Sequence, residues 1–394
     1  MTSTPRLAPR LLRSLCVAVV AALALTAFLV AGARPDRAAP AAATTSTYTP
    51  VTGATFNRPI GTNAQQRRIF THVNSSVAAS PPGSTIKIAV FSFSDKASAD
   101  RLLAAKARGV HVQMIFDDHT KYAQELRLQR ALGANREARS FAVFCHLSCR
   151  GTSGGNMHDK IFLFSKAGRA SNVTMVGSNN MTGYNATRQW SDLYTIAGDP
   201  ATYYTYAGFF DQMKYDKPSG GYYQPEINGY QSQFYPYAGS TRFTDPMYQA
   251  LSAITCTGAT GGTGVGGKTL VRLSQHAWNG SRGIYLADKV AALRRAGCVV
   301  QVIYGVGIGS QVKSILANAG VQLATVRHRS VRTHQKSLQV SGVFDGDTAA
   351  QVVYTGSHNW SNGALRRDDV LLRIEDPAAY AQYRANFDDI WKNG

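Results

Sequence analysis

Two short patterns occur twice in this chain, in the same order and at nearly the same separation. His158 and Lys160 return as His334 and Lys336, 176 residues later. Gly177, Ser178 and Asn180 return as Gly356, Ser357 and Asn359, 179 residues later. Asp192, Asp199-Pro200, Tyr203, Phe210 and Asp211 return as Asp369, Asp376-Pro377, Tyr380, Phe387 and Asp388, 177 residues later. A shared order with offsets drifting by only three implies duplication of a domain, because solenoid arrays repeat at roughly 20–50 residues. The chain is therefore expected to fold as two similar halves, over residues 51–220 and 221–394, and its 394 residues suffice for both.

Local patterns give each half alternating helices and strands. Asn63 is placed as the cap of a helix carrying Ile69, Val73 and Val77 on one face. A strand follows over residues 85–93, a helix over 97–108 ending at Gly109, a strand over 110–116 and a helix over 122–132. The order recurs from Asp245-Pro246, a helix start with Pro at the first helical position. Strand 268–273, helix 284–296, strand 298–304 and helix 310–319 come next. The Tyr-rich segment between the repeats (Tyr222, Tyr223, Tyr230, Tyr235, Tyr237) is read as aromatic packing of a long crossover, with a surface for lipid headgroups or bases as the alternative.

The repeated residues suit phosphate chemistry. His158 and Lys160 lie two apart before an apolar run, so on a strand they project from one face. A Lys ammonium neutralises phosphoryl oxygens, and a neutral imidazole beside it attacks phosphorus or moves a proton. In Gly-Ser-x-Asn, Gly permits close backbone approach, and the Ser hydroxyl and Asn amide donate to phosphate oxygens. A lone His-x-Lys carries little information; both patterns, twice and in order, carry a great deal.

The double pattern resembles the phospholipase D superfamily, whose signature is H-x-K-x4-D followed by G-S-x-N, usually in two copies. The likeness covers nearly all of residues 60–394. It implies an α/β fold of two halves, each a β-sheet flanked by helices, related by a pseudo-two-fold axis with the site between them. By this resemblance His158 is the nucleophile and His334 the general acid and base, with a phosphohistidine intermediate. Lys160, Lys336, Asn180 and Asn359 stabilise the phosphoryl charge, and Ser178 and Ser357 bind phosphate. Asp192 and Asp369 fall where the family places the acid that orients each imidazole. The family's signature Asp is replaced in both copies, by Ser165 and Ser341. Asp345 and Asp347 lie nearby at the wrong spacing.

Other features bear on setting. Arg6, Arg10 and Arg13, the apolar run 15–31 and Ala31-Gly32-Ala33 read as a cleaved export leader over residues 1–33, with an uncleaved membrane anchor as the alternative, followed by an Ala/Pro/Thr-rich linker over 34–50. The formal charge of +19 falls to +16 when that leader and its three Arg leave, which suits an anionic substrate or surface. Outside the leader four Cys remain, an even number, and the favoured pairs are Cys145–Cys149 and Cys256–Cys298. Neither the Cys spacings nor the nine His form a metal pattern, so no metal or cofactor is expected.

The expected protein is a secreted monomer that hydrolyses or transfers phospholipid headgroup diesters. Nucleic acid is the competing phosphodiester, favoured by the positive charge. A catalytically impaired phosphate- or lipid-binding protein is the third reading, motivated by Ser165 and Ser341.

Overall fold

The computed structural model describes residues 46–394 apart from 152–153, 240, 327 and 329. The expected leader and residues 34–45 of the linker lie outside the described residues. Among those described, no helix is long and apolar enough to cross a membrane.

The first eight strands are β1 (Gly53–Phe56), β2 (Thr85–Val90), β3 (His111–Asp117), β4 (Phe141–Cys145), β5 (Lys160–Ala167), β6 (Ala170–Gly177), β7 (Gln189–Trp190) and β8 (Asp192–Ile196). The next five are β9 (Glu226–Ile227), β10 (Tyr230–Phe234), β11 (Ile254–Thr255), β12 (Leu270–Trp278) and β13 (Val299–Ile308). The last are β14 (Gln322–Ala324), β15 (Arg332–Thr333), β16 (Lys336–Phe344), β17 (Asp347–Gly356) and β18 (Val370–Glu375). One sheet has the order β1-β8-β6-β5-β2-β3-β4, the other β14-β13-β12-β16-β17-β18-β10-β9 with β11 on β16. Starting from β8 and from β18, six strands run in matching order. The parallel pairs β2-β3 and β3-β4 are repeated by β12-β13 and β13-β14, and the antiparallel neighbours match too. The duplication is thus visible as topology.

Helices fall where caps and periodicity place them. Asp95 accepts from the Ser98 amide at the start of Lys96–Ala107. The repeated Asp-Pro pairs begin the matching helices Pro200–Met213 and Pro377–Asn393, with Asp199 and Asp376 capping them. One start differs from expectation: Thr62, not Asn63, caps a four-residue turn of helix, and Ile69, Val73 and Val77 belong to a separate helix, Arg68–Ala79. A Thr hydroxyl that accepts from Gln65 and a Gln65 side chain that answers it make the stronger cap.

Each sheet has its own buried core on one face. A third core joins them: Ile161, Val176 and Tyr194 of the first sheet pack with Phe234, Val353 and Val370 of the second. The Tyr-rich crossover packs on itself, with Tyr222 against Tyr235 and Tyr237, and Tyr223 stacked on Phe234.

Both expected disulfides are present, with Cα separations of 5.2 Å for Cys145–Cys149 and 4.5 Å for Cys256–Cys298. The second closes the longer loop and so restricts the unfolded chain more. Cys256→Ser with Cys298→Ser is expected to cost about 4 kcal/mol, against about 2 kcal/mol for the other pair, in denaturant unfolding.

Candidate active site

The two His-x-Lys pairs sit where the sheets face each other. β5 and β16 begin at Lys160 and Lys336, so each pair straddles the strand's start rather than lying within it. The physical reason is that the His backbone pairs across the halves. The His158 amide donates to the Asp368 carbonyl (2.9 Å), and the His334 amide donates to the Trp190 carbonyl (2.8 Å). Met157 bridges Asp368, and β15 pairs in parallel with β7.

His158 Nδ1 lies 2.8 Å from Asp369 Oδ1, and both residues are buried. An ionised carboxylate only accepts, so Nδ1 carries the hydrogen and Nε2 keeps its lone pair. Asp369 also accepts from the Ser357 hydroxyl. His334 is held differently. Its Nδ1 donates to the Ser178 carbonyl at 2.8 Å. Asp192 is not the acid that orients it: its oxygens accept from Ser178 (2.6 Å), Tyr383 (2.9 Å) and Thr355. Thr355 has Val176 as its counterpart in the first repeat, which brings no hydroxyl to Asp369. That exchange is one of the differences between the two acids, beside Tyr383 on Asp192 and His358 near Asp369.

Lys160 and Lys336 donate to the carbonyls of His158 and His334. Burial dominates the titration of the site. It pushes Lys160 down to about 7, and with Lys160 nearby it holds Lys336 well below the usual lysine range. Burial and the adjacent lysine also hold both imidazoles well below an ordinary His, so each is neutral near pH 7. Burial opposes ionisation of Asp369, yet His158 and His358 keep it well below the carboxylate norm. Asp192, without a His, is raised by burial. Two lysines crowded in a dry interface form a site that an anion would relieve.

Asn180 and His334 line a cleft of about 300 Å³ together with Ser92, Ser94, Tyr122 and Tyr184. Asn359 is buried, and the side-chain oxygens of both Asn lack protein partners. His358 is fully buried, stacked on Tyr235 at 3.9 Å and 3.6 Å from Asp369 Oδ2. Reading the sequence did not pick out Phe91, which meets His158 at 5.0 Å, nor His276, which meets His334 at 4.5 Å. These two follow Val90 and Gln275, the partners of Lys160 and Lys336 in the sheets, so aligning the repeats one strand further back would have found them.

The model of the family described as "Cardiolipin synthase, PLD-like domain" matches residues 78–214 and 281–391, a span that takes in both His-x-Lys pairs and both Gly-Ser-x-Asn segments. The chain belongs to the phospholipase D superfamily. Among solved structures, phosphatidylserine synthase from Haemophilus influenzae matches at TM-score 0.57 and 12% identity, covering 86% of each chain. Polyphosphate kinase from Porphyromonas gingivalis matches at TM-score 0.53 and 11% identity. That match covers 87% of this chain and 51% of the kinase, so the chain spans about half of that relative. At these identities the likeness is one of fold. No curated protein matches the sequence.

Within this phospholipase D-like fold the two replaced signature positions have equivalent duties. Ser165 Oγ accepts from the Thr85 amide (2.8 Å) and Ser341 Oγ from the Gly264 amide (3.0 Å). Ser165 is five residues along β5 from Lys160, about 17 Å at strand rise, so it reaches no phosphate. Ser165→Ala is therefore expected to cost about 1 kcal/mol of stability and to change kcat less than threefold, checked by urea melts and initial rates.

Proposed function

We propose that this chain is an exported phosphodiesterase that cleaves the headgroup side of phospholipid diesters, to water or to an alcohol, through a phosphohistidine. The observation that carries the reading is the cross-half pair His158–Asp369 beside His334, Lys160 and Lys336 in one buried cluster. His158 Nε2 attacks phosphorus while protonated His334 gives its proton to the leaving oxygen. His334 then takes a proton from water or an alcohol, whose oxygen displaces His158. Lys160, Lys336, Asn180 and Asn359 face the charge on the phosphoryl oxygens, whereas Ser178 and Ser357, expected to bind phosphate, give their hydroxyls to Asp192 and Asp369 and fix those acids instead.

Lipid is supported by exposed apolar residues at the rim. Tyr184, 50% exposed, lines the cleft, and Val306, 65% exposed, adjoins Gly305, where a side chain would run into the backbone of His276 and Thr333. Nucleic acid is the second reading, supported by the charge of +19 and by Arg332, which lies 5.6 Å over the Tyr184 ring. The leader pattern and two disulfides support export.

The deciding experiment offers the purified protein phosphatidylcholine vesicles, single-stranded DNA, ethanol and EDTA, with His334→Ala alongside and products read by mass spectrometry. Phosphatidic acid or phosphatidylethanol from wild type alone supports the lipid reading. DNA fragments alone move the assignment to nuclease, and no product from either returns the binding-protein reading.

The pH profile should be acidic. Leaving-group protonation needs charged His334, whose pKa is held well below 6.5, and phosphate binding gains as Lys160 charges below about 7. Both favour lower pH, whereas His158 stays neutral until well below 6.5. The expected kcat/KM rises from pH 8 to pH 5.5; a profile rising with pH would contradict these roles.

A further inference from the structure

A further imidazole, that of His119, lies on the wall of the site, and it belongs to a set. His119 Nδ1 is 2.6 Å from Asp117 Oδ1, which also accepts the His119 amide at 3.0 Å. The other Asp117 oxygen accepts the Met157 amide at 2.8 Å, one residue before His158. Asp117 is buried, so His119 is clamped with hydrogen on Nδ1 and a lone pair on Nε2. That Nε2 lies 3.5 Å from Ser92 Oγ, and Ser92 lines the same cleft as His334 and Asn180. The His119 ring is stacked on Phe91 at 3.9 Å and 2°, so its plane is fixed from the side that meets His158.

Among the described residues, the matching strand ends of the second half carry no such Asp, His and Ser set. Beyond the last matched pairs, Val90 beside Phe116 and Gln275 beside Tyr304, the first half continues with Ser92 and Asp117-Asp118-His119, whereas the second continues with Ala277 and Gly305-Val306-Gly307 across a register shift. The trio is therefore no requirement of the fold. It adds an oriented hydroxyl to one wall of a shared cleft, opposite no counterpart.

We propose that Asp117, His119 and Ser92 form a hydroxyl-recognition subsite that selects polyhydroxy alcohols as the phosphoryl acceptor. The proposal rests on the phosphodiesterase reading and extends it to the second step. One acceptor hydroxyl gives its proton to His334 Nε2 as its oxygen bonds to phosphorus and the His158–phosphorus bond breaks. A neighbouring hydroxyl of the same molecule donates to Ser92 Oγ, whose own hydrogen points to His119 Nε2. A monohydroxy alcohol makes the first contact and leaves the second unmade. Ser92, His119 and Asp117 are positioning residues here; none touches phosphorus.

The test uses the full protein with phosphatidylcholine vesicles and equal concentrations of glycerol and ethanol, reading phosphatidylglycerol, phosphatidylethanol and phosphatidic acid by mass spectrometry. Wild type is expected to favour glycerol per primary hydroxyl. Ser92→Ala and His119→Phe, the latter keeping the stack on Phe91, are expected to lower the glycerol-to-ethanol ratio about tenfold, the worth of one such hydrogen bond. Formation of phosphatidic acid should stay within about threefold. A wild-type enzyme without glycerol preference, or variants that keep the wild-type ratio while still making phosphatidic acid, overturns the subsite alone. No lipid product from wild type overturns the phospholipid reading and the subsite with it.

Discussion

Replacing His158 by Asn is expected to lower turnover of a phosphodiester by at least about 10⁴-fold and to remove any phosphoryl-enzyme from quenched reaction mixtures. The Nδ1 atom held by Asp369 leaves Nε2 as the attacking atom, and an amide has no equivalent lone pair. His334→Ala should be as damaging to turnover but should differ in kind. With an activated diester whose leaving group needs no proton, His158 can still attack, and the intermediate should accumulate because His334 is no longer there to activate water. Mass spectrometry of the intact protein after mixing separates the two variants. Accumulation in His158→Asn rather than in His334→Ala would reverse the assigned roles.

The second large effect is an asymmetry between the two acids. Asp369→Asn should cost about 10⁴-fold in kcat, the scale seen when a carboxylate that fixes a catalytic imidazole is made an amide. Asp192→Asn should cost far less, about tenfold, because Asp192 receives hydroxyls from Ser178, Thr355 and Tyr383 and no imidazole. Had the two acids the same role, the losses would be equal. Thr355→Val, which copies Val176 of the first half, removes one of the two hydroxyls on Asp192 Oδ2, leaving that of Tyr383, and tests how far the Thr355 hydroxyl sets the difference.

These contrasts mark what the sequence could tell and what it could not. The duplication was legible because identical side chains recur at a constant offset, and the matching strand orders follow from it. The cysteine pairs were legible because four cysteines leave few pairings and two of them lie close in sequence. The orientation of each imidazole was not. Asp192 is occupied by the Thr355 and Tyr383 hydroxyls arriving from the other half, and no local pattern encodes contacts 163 and 191 residues away. Phe91 was passed over, and His119 and His276 read as structural or surface residues, for a related reason. None recurs as itself, and a repeat is found by what stays the same, whereas these positions matter through what differs.

The interlocked segments at the interface, Met157 on Asp368 and β15 on β7, mean that neither half can present a finished site alone. Two separate identical subunits could build the same interface, but every change on one side would then be copied on the other. Joining the copies in one polypeptide lifts that restriction. One wall of the cleft can hold Phe91 and the other His276; one acid can serve an imidazole and its twin a threonine. Covalent fusion thus turns a symmetric scaffold into one with a left hand and a right, where the leaving group and its replacement can be selected independently.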